Sequence, residues 1–109
     1  MARSRPSRAS PVLPLALPAA APALRLAELL DLRAAGPLAA ELLALCGYDV
    51  AIDASHVHKL GGQCLQVLLS ARAGWLGDGM RFRVVAPSQG FTECLALLGA
   101  TDHLPTEEA

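Results

Sequence analysis

Asp53-Ala54-Ser55-His56-Val57-His58-Lys59-Leu60-Gly61-Gly62-Gln63-Cys64-Leu65-Gln66-Val67-Leu68-Leu69-Ser70-Ala71-Arg72-Ala73-Gly74-Trp75-Leu76 is the stretch on which the fold turns. Just before it, Asp49-Val50-Ala51-Ile52-Asp53 is a short apolar run between polar ends, which reads as a strand buried on both faces. The loop Ser55 to Leu60 follows, with Val57 and Leu60 as its apolar anchors. A helix then starts near Gly61-Gly62. Leu65, Leu68, Leu69, Arg72 and Leu76 recur on one side of it, with Cys64, Ala71 and Trp75 beside them. Gln63, Gln66, Ser70 and Ala73 form the opposite side, facing solvent or a partner. Asp53 ends the strand as an acceptor that organises the loop.

Downstream, Gly77-Asp78-Gly79 closes the helix. Arg81-Phe82-Arg83-Val84-Val85-Ala86 is the next strand, with its arginines at the exposed start. Pro87-Ser88-Gln89-Gly90-Phe91 opens a last helix with Ser88 as N-cap and Glu93 in its first turns. Phe91, Leu95 and Leu98 give that helix its buried stripe, with Cys94 and Leu97 beside it, and Gly99 ends it. Upstream, Leu24 to Leu29 alternates as a half-buried strand does. Leu30-Asp31-Leu32 leads into a helix in which Pro37 suits an early turn. Leu38, Leu42 and Leu45 are its stripe, widened by Ala39 and Cys46, and Gly47 stops it in the left-handed conformation.

Strands alternating with helices that each carry one apolar stripe predict an α/β domain: a small mixed sheet of about four strands with three to four helices on one side. Residues 23–104 form this domain. Residues 1–22 read as a disordered Pro/Ala/Arg-rich tail, with a short first strand as an option near Val12 to Leu17. Three arginines ahead of Val12-Leu13-Pro14-Leu15-Ala16-Leu17 also resemble a secretory signal, but Pro11, Pro14, Pro18 and Pro22 interrupt the apolar run. Residues 105–109 are a polar tail. No run is long enough to span a bilayer.

The chain of 109 residues is 53% apolar and only 4% aromatic, so leucine, alanine and valine build the core. Its net charge of −1, without a basic patch interleaved with aromatics, argues against nucleic acid as a partner. Arg3, Arg5 and Arg8 hold three of the nine basic residues, which leaves six against ten acidic ones in the remainder. Cys46, Cys64 and Cys94 lie in apolar helical patterns without a Cys-x-x-Cys pair and read as small buried hydrophobes in a reducing cytosol. His56 and His58, two apart, offer at most half of a metal site, with Cys64 the nearest further ligand. Neither a Gly-x-Ser-x-Gly elbow, a phosphate loop nor a paired-carboxylate signature is present. Ser88 reads as a cap and Ser55 as a turn residue, Ser55 being the alternative acceptor for a phosphate. The residues therefore point to no cofactor and no catalytic set.

Three blocks resemble the STAS domain, the fold of bacterial anti-sigma factor antagonists. Val50-Ala51-Ile52-Asp53-Ala54-Ser55 looks like the family's strand end. Leu60-Gly61-Gly62-Gln63-Cys64-Leu65 sits where the family has an apolar-Asp-Ser-Ser-Gly-Leu loop and helix start. Arg83 to Ser88, followed by Leu95-Ala96-Leu97-Leu98-Gly99, is similar to the family's last strand, Pro-Ser cap and Leu-Leu-Gly ending. Counted from Asp53, the family's phosphorylatable serine falls at Gly62 and the acidic residue before it at Gly61. The resemblance implies a cytoplasmic, non-enzymatic protein–protein interaction module of bacterial signal transduction. Its partner would be a signalling kinase, an anti-sigma-like protein or a chemotaxis component. The short STAS proteins encoded among chemotaxis genes are similar through Cys64 to Leu69. The partner-binding residues would be Ser55, His56, His58, Lys59, Gly61, Gly62, Gln63 and Gln66, with no phosphate switch at Gly62. The alternative is a STAS-like accessory subunit of a lipid-transport ABC system.

Overall fold

The computed structural model describes residues 22–108. The tail, its optional first strand and the signal-like reading thus fall outside the described residues, apart from Pro22. In chain order the elements are β1 (Ala23–Arg25), β2 (Leu29–Leu30), a 3-10 turn (Leu32–Ala34) running into α1 (Ala35–Ala44), β3 (Val50–Asp53), β4 (Lys59–Leu60), α2 (Gly62–Gly77), β5 (Phe82–Val85), α3 (Gln89–Leu97) and β6 (Thr106–Glu107).

Four strands form one sheet in the order β1-β3-β5-β6, all parallel, and β2 pairs with β4 in a separate two-stranded ribbon, also parallel. The α/β class, a main sheet of about four strands and the helical layer agree with the sequence, although one of the four strands lies where the sequence reading put a polar tail. Every pairing among the described residues is parallel. Each crossover steps one strand in the same direction, and right-handed crossovers then place all the helices on the same face. Among the described residues the strand order does not reverse, so these strands form no crevice of the kind that opens at a reversal in doubly wound sheets.

Burial follows from this single layer. Val50 and Ile52 of β3 and Phe82 and Val84 of β5 are buried, whereas Ala51, Asp53 and Val85 are half-buried and Arg83 is exposed. The expectation that β3 is buried on both faces is therefore corrected: the helices cover one face only. The register sets Val50 beside Phe82 and Ile52 beside Val84 on the covered face. On the other face Arg25, Asp53, Val85 and Glu107 fall in one row. Thr106–Glu107, part of the polar tail by sequence, is the fourth strand. It is held by backbone pairing and by the Arg83 guanidinium, whose Nη2 donates to Glu107 Oε1 at 2.8 Å. Arg83 thus lies within its strand rather than at the exposed start.

The core joins Leu26, Leu30, Leu38, Leu42, Val50, Ile52, Leu68, Val84, Phe91, Leu95 and Leu104 with the loop anchors Val57 and Leu60. Trp75 packs edge-on against Phe82 with centroids 5.6 Å apart, and its Nε1 donates to Tyr48 O at 2.6 Å. Three apolar positions depart from the sequence reading. Leu98 of the last stripe is 44% exposed, Leu97 beside that stripe is 86% exposed, and Leu76 is 51% exposed. Each lies in the final turn of its helix or just beyond it. Cys46 is exposed, against the expectation of three buried thiols; Cys64 is buried and Cys94 half-buried. Gly47 and Gly99 stop their helices with φ of +94° and +71°.

Candidate partner-binding site

The site begins where β3 ends. Asp53 Oδ1 accepts from the Ser55 N–H at 2.9 Å, which bends the chain out of the sheet, and Arg25 Nε lies 3.7 Å from Asp53 Oδ2. The Ser55 hydroxyl first, and then its N–H, hold the Asp53 carboxyl below the usual carboxylate range. Partial burial opposes them, while Arg25 and His56 help. The loop is next tied from its far side. The N–H groups of His58 and Lys59 both donate to Glu28 O, at 2.7 and 3.2 Å, and the Gly61 N–H donates to Leu30 O at 2.9 Å. Glu28 also approaches His58 Nε2 at 3.7 Å through Oε1, an exposed pair of little energetic weight.

Ser88 clamps the loop from above. Its N–H donates to Ala54 O at 3.1 Å, its hydroxyl donates to Val57 O, and its Oγ accepts from the Phe91 N–H at 3.0 Å, capping α3. Gly90 permits the close approach this requires: a Cβ there would stand 2.5 Å from His58 O. With Val57 and Leu60 pinned in the core, the intervening polar side chains are turned outward.

Gly61 is the N-cap of α2, in extended conformation with φ −89°, and the Leu65 N–H donates to Gly61 O at 3.0 Å. Lacking a side chain, it leaves the first turn without a side-chain cap. The two glycines differ in their surroundings. A Cβ at Gly61 would lie 3.2 Å from Leu30 O, a tight contact, whereas at Gly62 it would meet nothing within 4 Å. The backbone at 62 accepts a side chain; this chain has none there.

Ser55, His56, His58, Lys59, Gly62, Gln63 and Gln66 are exposed and Gly61 is half-buried. They do not share one cavity. Ser55, His56 and His58 line a recess of about 310 Å³ with Glu28 and Ser88. His58, Lys59 and Gly61 edge a recess of about 620 Å³ with Leu29, Glu93 and Leu97. Gln63 and Gln66 lie at the α1–α2 groove. The residues form a ridge that runs along the chain from Ser55 to Gln66, with a hollow against each part of it. Sequence reading missed Glu28, whose carbonyl holds the loop, because the role lies in its backbone. It also missed Leu29 and the α1 wall, which reach the ridge only through the fold.

Among the described residues no group of three or more His, Cys, Asp or Glu is placed to hold a metal, and no helix is long and apolar enough to cross a membrane. Cys64 donates its thiol to Asp31 O at 3.3 Å; burial, and then Asp31, push that thiol up, away from nucleophilic use.

A single helical layer on a sequential parallel sheet, with a ridge at a strand-to-helix junction, defines an α/β binding module. The family described as "Mlab, STAS domain" matches residues 14–106, and the chain belongs to the STAS domain family. No match is found among curated proteins or among solved structures.

Proposed function

We propose that the chain is a non-enzymatic, cytoplasmic protein–protein interaction module of bacterial signal transduction, and that its ridge from Ser55 to Gln63, with Gln66, is the partner-binding surface. Chemotaxis components, signalling kinases and anti-sigma-like proteins are the partner classes. The observation that carries the reading is Gly62: it is the first residue of α2, it is exposed, and it has open space where a side chain would stand. At this position the resemblance puts the hydroxyl that accepts phosphate. A phosphate adds about −1.5 to −2 charges, enough to reverse recognition of a helix start. With glycine there, the module is recognised without being switched at that position.

Affinity capture compares the wild type with His58→Ala, Gln63→Ala and Gly62→Glu. The reading expects partner capture by the wild type to survive phosphatase treatment and to fall in all three variants. Capture that the variants leave unchanged would place the partner surface elsewhere. A second reading keeps the surface and changes the partner to a lipid-transport ABC system, in which the chain is an accessory subunit. It is favoured by the Mlab in the family's description. The identity of the captured protein, a permease with its ATPase or a signalling component, separates the two.

A further inference from the structure

From the turn between β5 and α3 we infer that the chain carries a latch. The outer strand β6 helps to hold Ala86 in a strained conformation, and Ala86 in turn sets Ser88 on the loop of the ridge. When β6 lets go, Ala86 relaxes, Ser88 withdraws and the ridge loosens. The inference concerns how the ridge is held and does not depend on what binds there.

The strain sits at Ala86. With φ of +52° it is the one non-glycine residue of positive φ among the described residues. In that conformation the Cβ of an L-residue crowds the following carbonyl oxygen. Pro87 adds to the cost, because its ring pushes the residue before it toward extended backbone. Glycine adopts such a φ freely, as Gly47, Gly79 and Gly99 do here. Alanine before proline stays in it only while its surroundings hold it there.

The turn is held from two sides. On one, the Ala86 N–H donates to Glu107 O at 2.7 Å. On the other, Ser88 donates its N–H to Ala54 O at 3.1 Å and its hydroxyl to Val57 O, the buried anchor of the ridge loop. The hold at Glu107 is the lighter one. The strand β6 has two residues, both exposed, and pairs with β5 alone. Its side-chain tie is the Arg83 fork on the Glu107 carboxylate, with Nη2 at 2.8 Å and Nε at 3.1 and 3.2 Å, between side chains 44% and 49% exposed. An exposed pair of this kind opens at little cost and is weakened by salt. Leu104, fully buried, anchors the chain just before β6, so the strand can leave without the rest of the fold. Pairing with β3 fixes β5, so relaxation at Ala86 moves Pro87 and Ser88 rather than the strand. Once β6 has left, the strain stands against the bonds of Ser88 alone.

Backbone amide exchange of the full chain, followed residue by residue by NMR, tests the latch. Arg83→Glu and Glu107→Arg each set two like charges where the fork now closes, and the double reversal restores opposite charges. The inference expects each single reversal to speed exchange at Ser88, Phe91 and Val57 at least about tenfold more than at Val50 and Met80, at the opposite end of the sheet. The double reversal should return these rates toward wild type. In an Ala86→Gly background, where no strain is stored, the same reversals should change the Ser88 and Phe91 rates by less than about threefold. Circular dichroism checks folding, and either folded single reversal carries the test. Unchanged exchange at all three amides overturns the inference. So does a rise matched at Val50 and Met80, or one that Ala86→Gly leaves undiminished. No partner enters this readout, so failure of the latch and failure of the proposed partner surface are separate results.

Discussion

At Gly90 and Asp53 single atoms decide the shape of the ridge. Gly90 lets α3 approach the loop so closely that a methyl group would press on the His58 carbonyl, a backbone atom with little room to give. Gly90→Ala should lower stability by about 1–3 kcal/mol, read by urea unfolding, and should shift the amide signals of residues 56 to 60. Asp53 acts by its charge. Its folded pKa is held below the ordinary 3.8, so its stabilising contribution is present above that value and is lost as pH falls through the lower folded value. Urea unfolding at about pH 6 and about pH 3 should show the wild type losing stability in acid and Asp53→Asn losing less over the same interval. Both roles differ in legibility. Asp53 was readable as a loop acceptor because its partner is two residues away. Gly90 read only as part of a helix opening, since what it avoids is 32 residues distant.

Among the elements, α2 and α3 show what periodicity can and cannot say. The stripe of α3 was legible up to Leu95, which is 3% exposed, and failed at Leu98, which is 44% exposed, and at Leu97 beside it, which is 86% exposed. Helical spacing says which residues share a side; it does not say where the layer beneath them stops. Leu95→Ala should therefore cost about 2–4 kcal/mol, whereas Leu97→Ser should change stability by less than about 0.5 kcal/mol, both by thermal or urea denaturation. The same reasoning covers Cys46, at the turn after α1, whose exposure leaves it the fastest-reacting of the three thiols toward an aromatic disulfide reagent, with buried Cys64 protected. The sequence reading ran one strand from Leu24 to Leu29, whereas β1 ends at Arg25 and Leu29 belongs to the separate β2–β4 ribbon, whose β4 read as loop. Two residues carry no period, and their pairing is set by where Glu28 and Leu30 offer carbonyls to the loop.

For the molecule as a whole, the order of strand, helix and strand was written in the sequence, because each helix announces one apolar stripe and each strand a short apolar run. The single-layer arrangement followed from that pattern. The division of the ridge among three hollows did not, since it depends on walls from β2, α1 and α3 that converge only in the fold. The proposed function rests on this geometry: the sheet holds out a loop pinned at Val57 and Leu60, and the helix that follows begins on a residue without a hydroxyl. The most direct test is the intact mass of the chain purified with its bound partner from its own cells. The account predicts the unmodified chain in the complex. Stoichiometric phosphate on Ser55 or another residue of the ridge would contradict it.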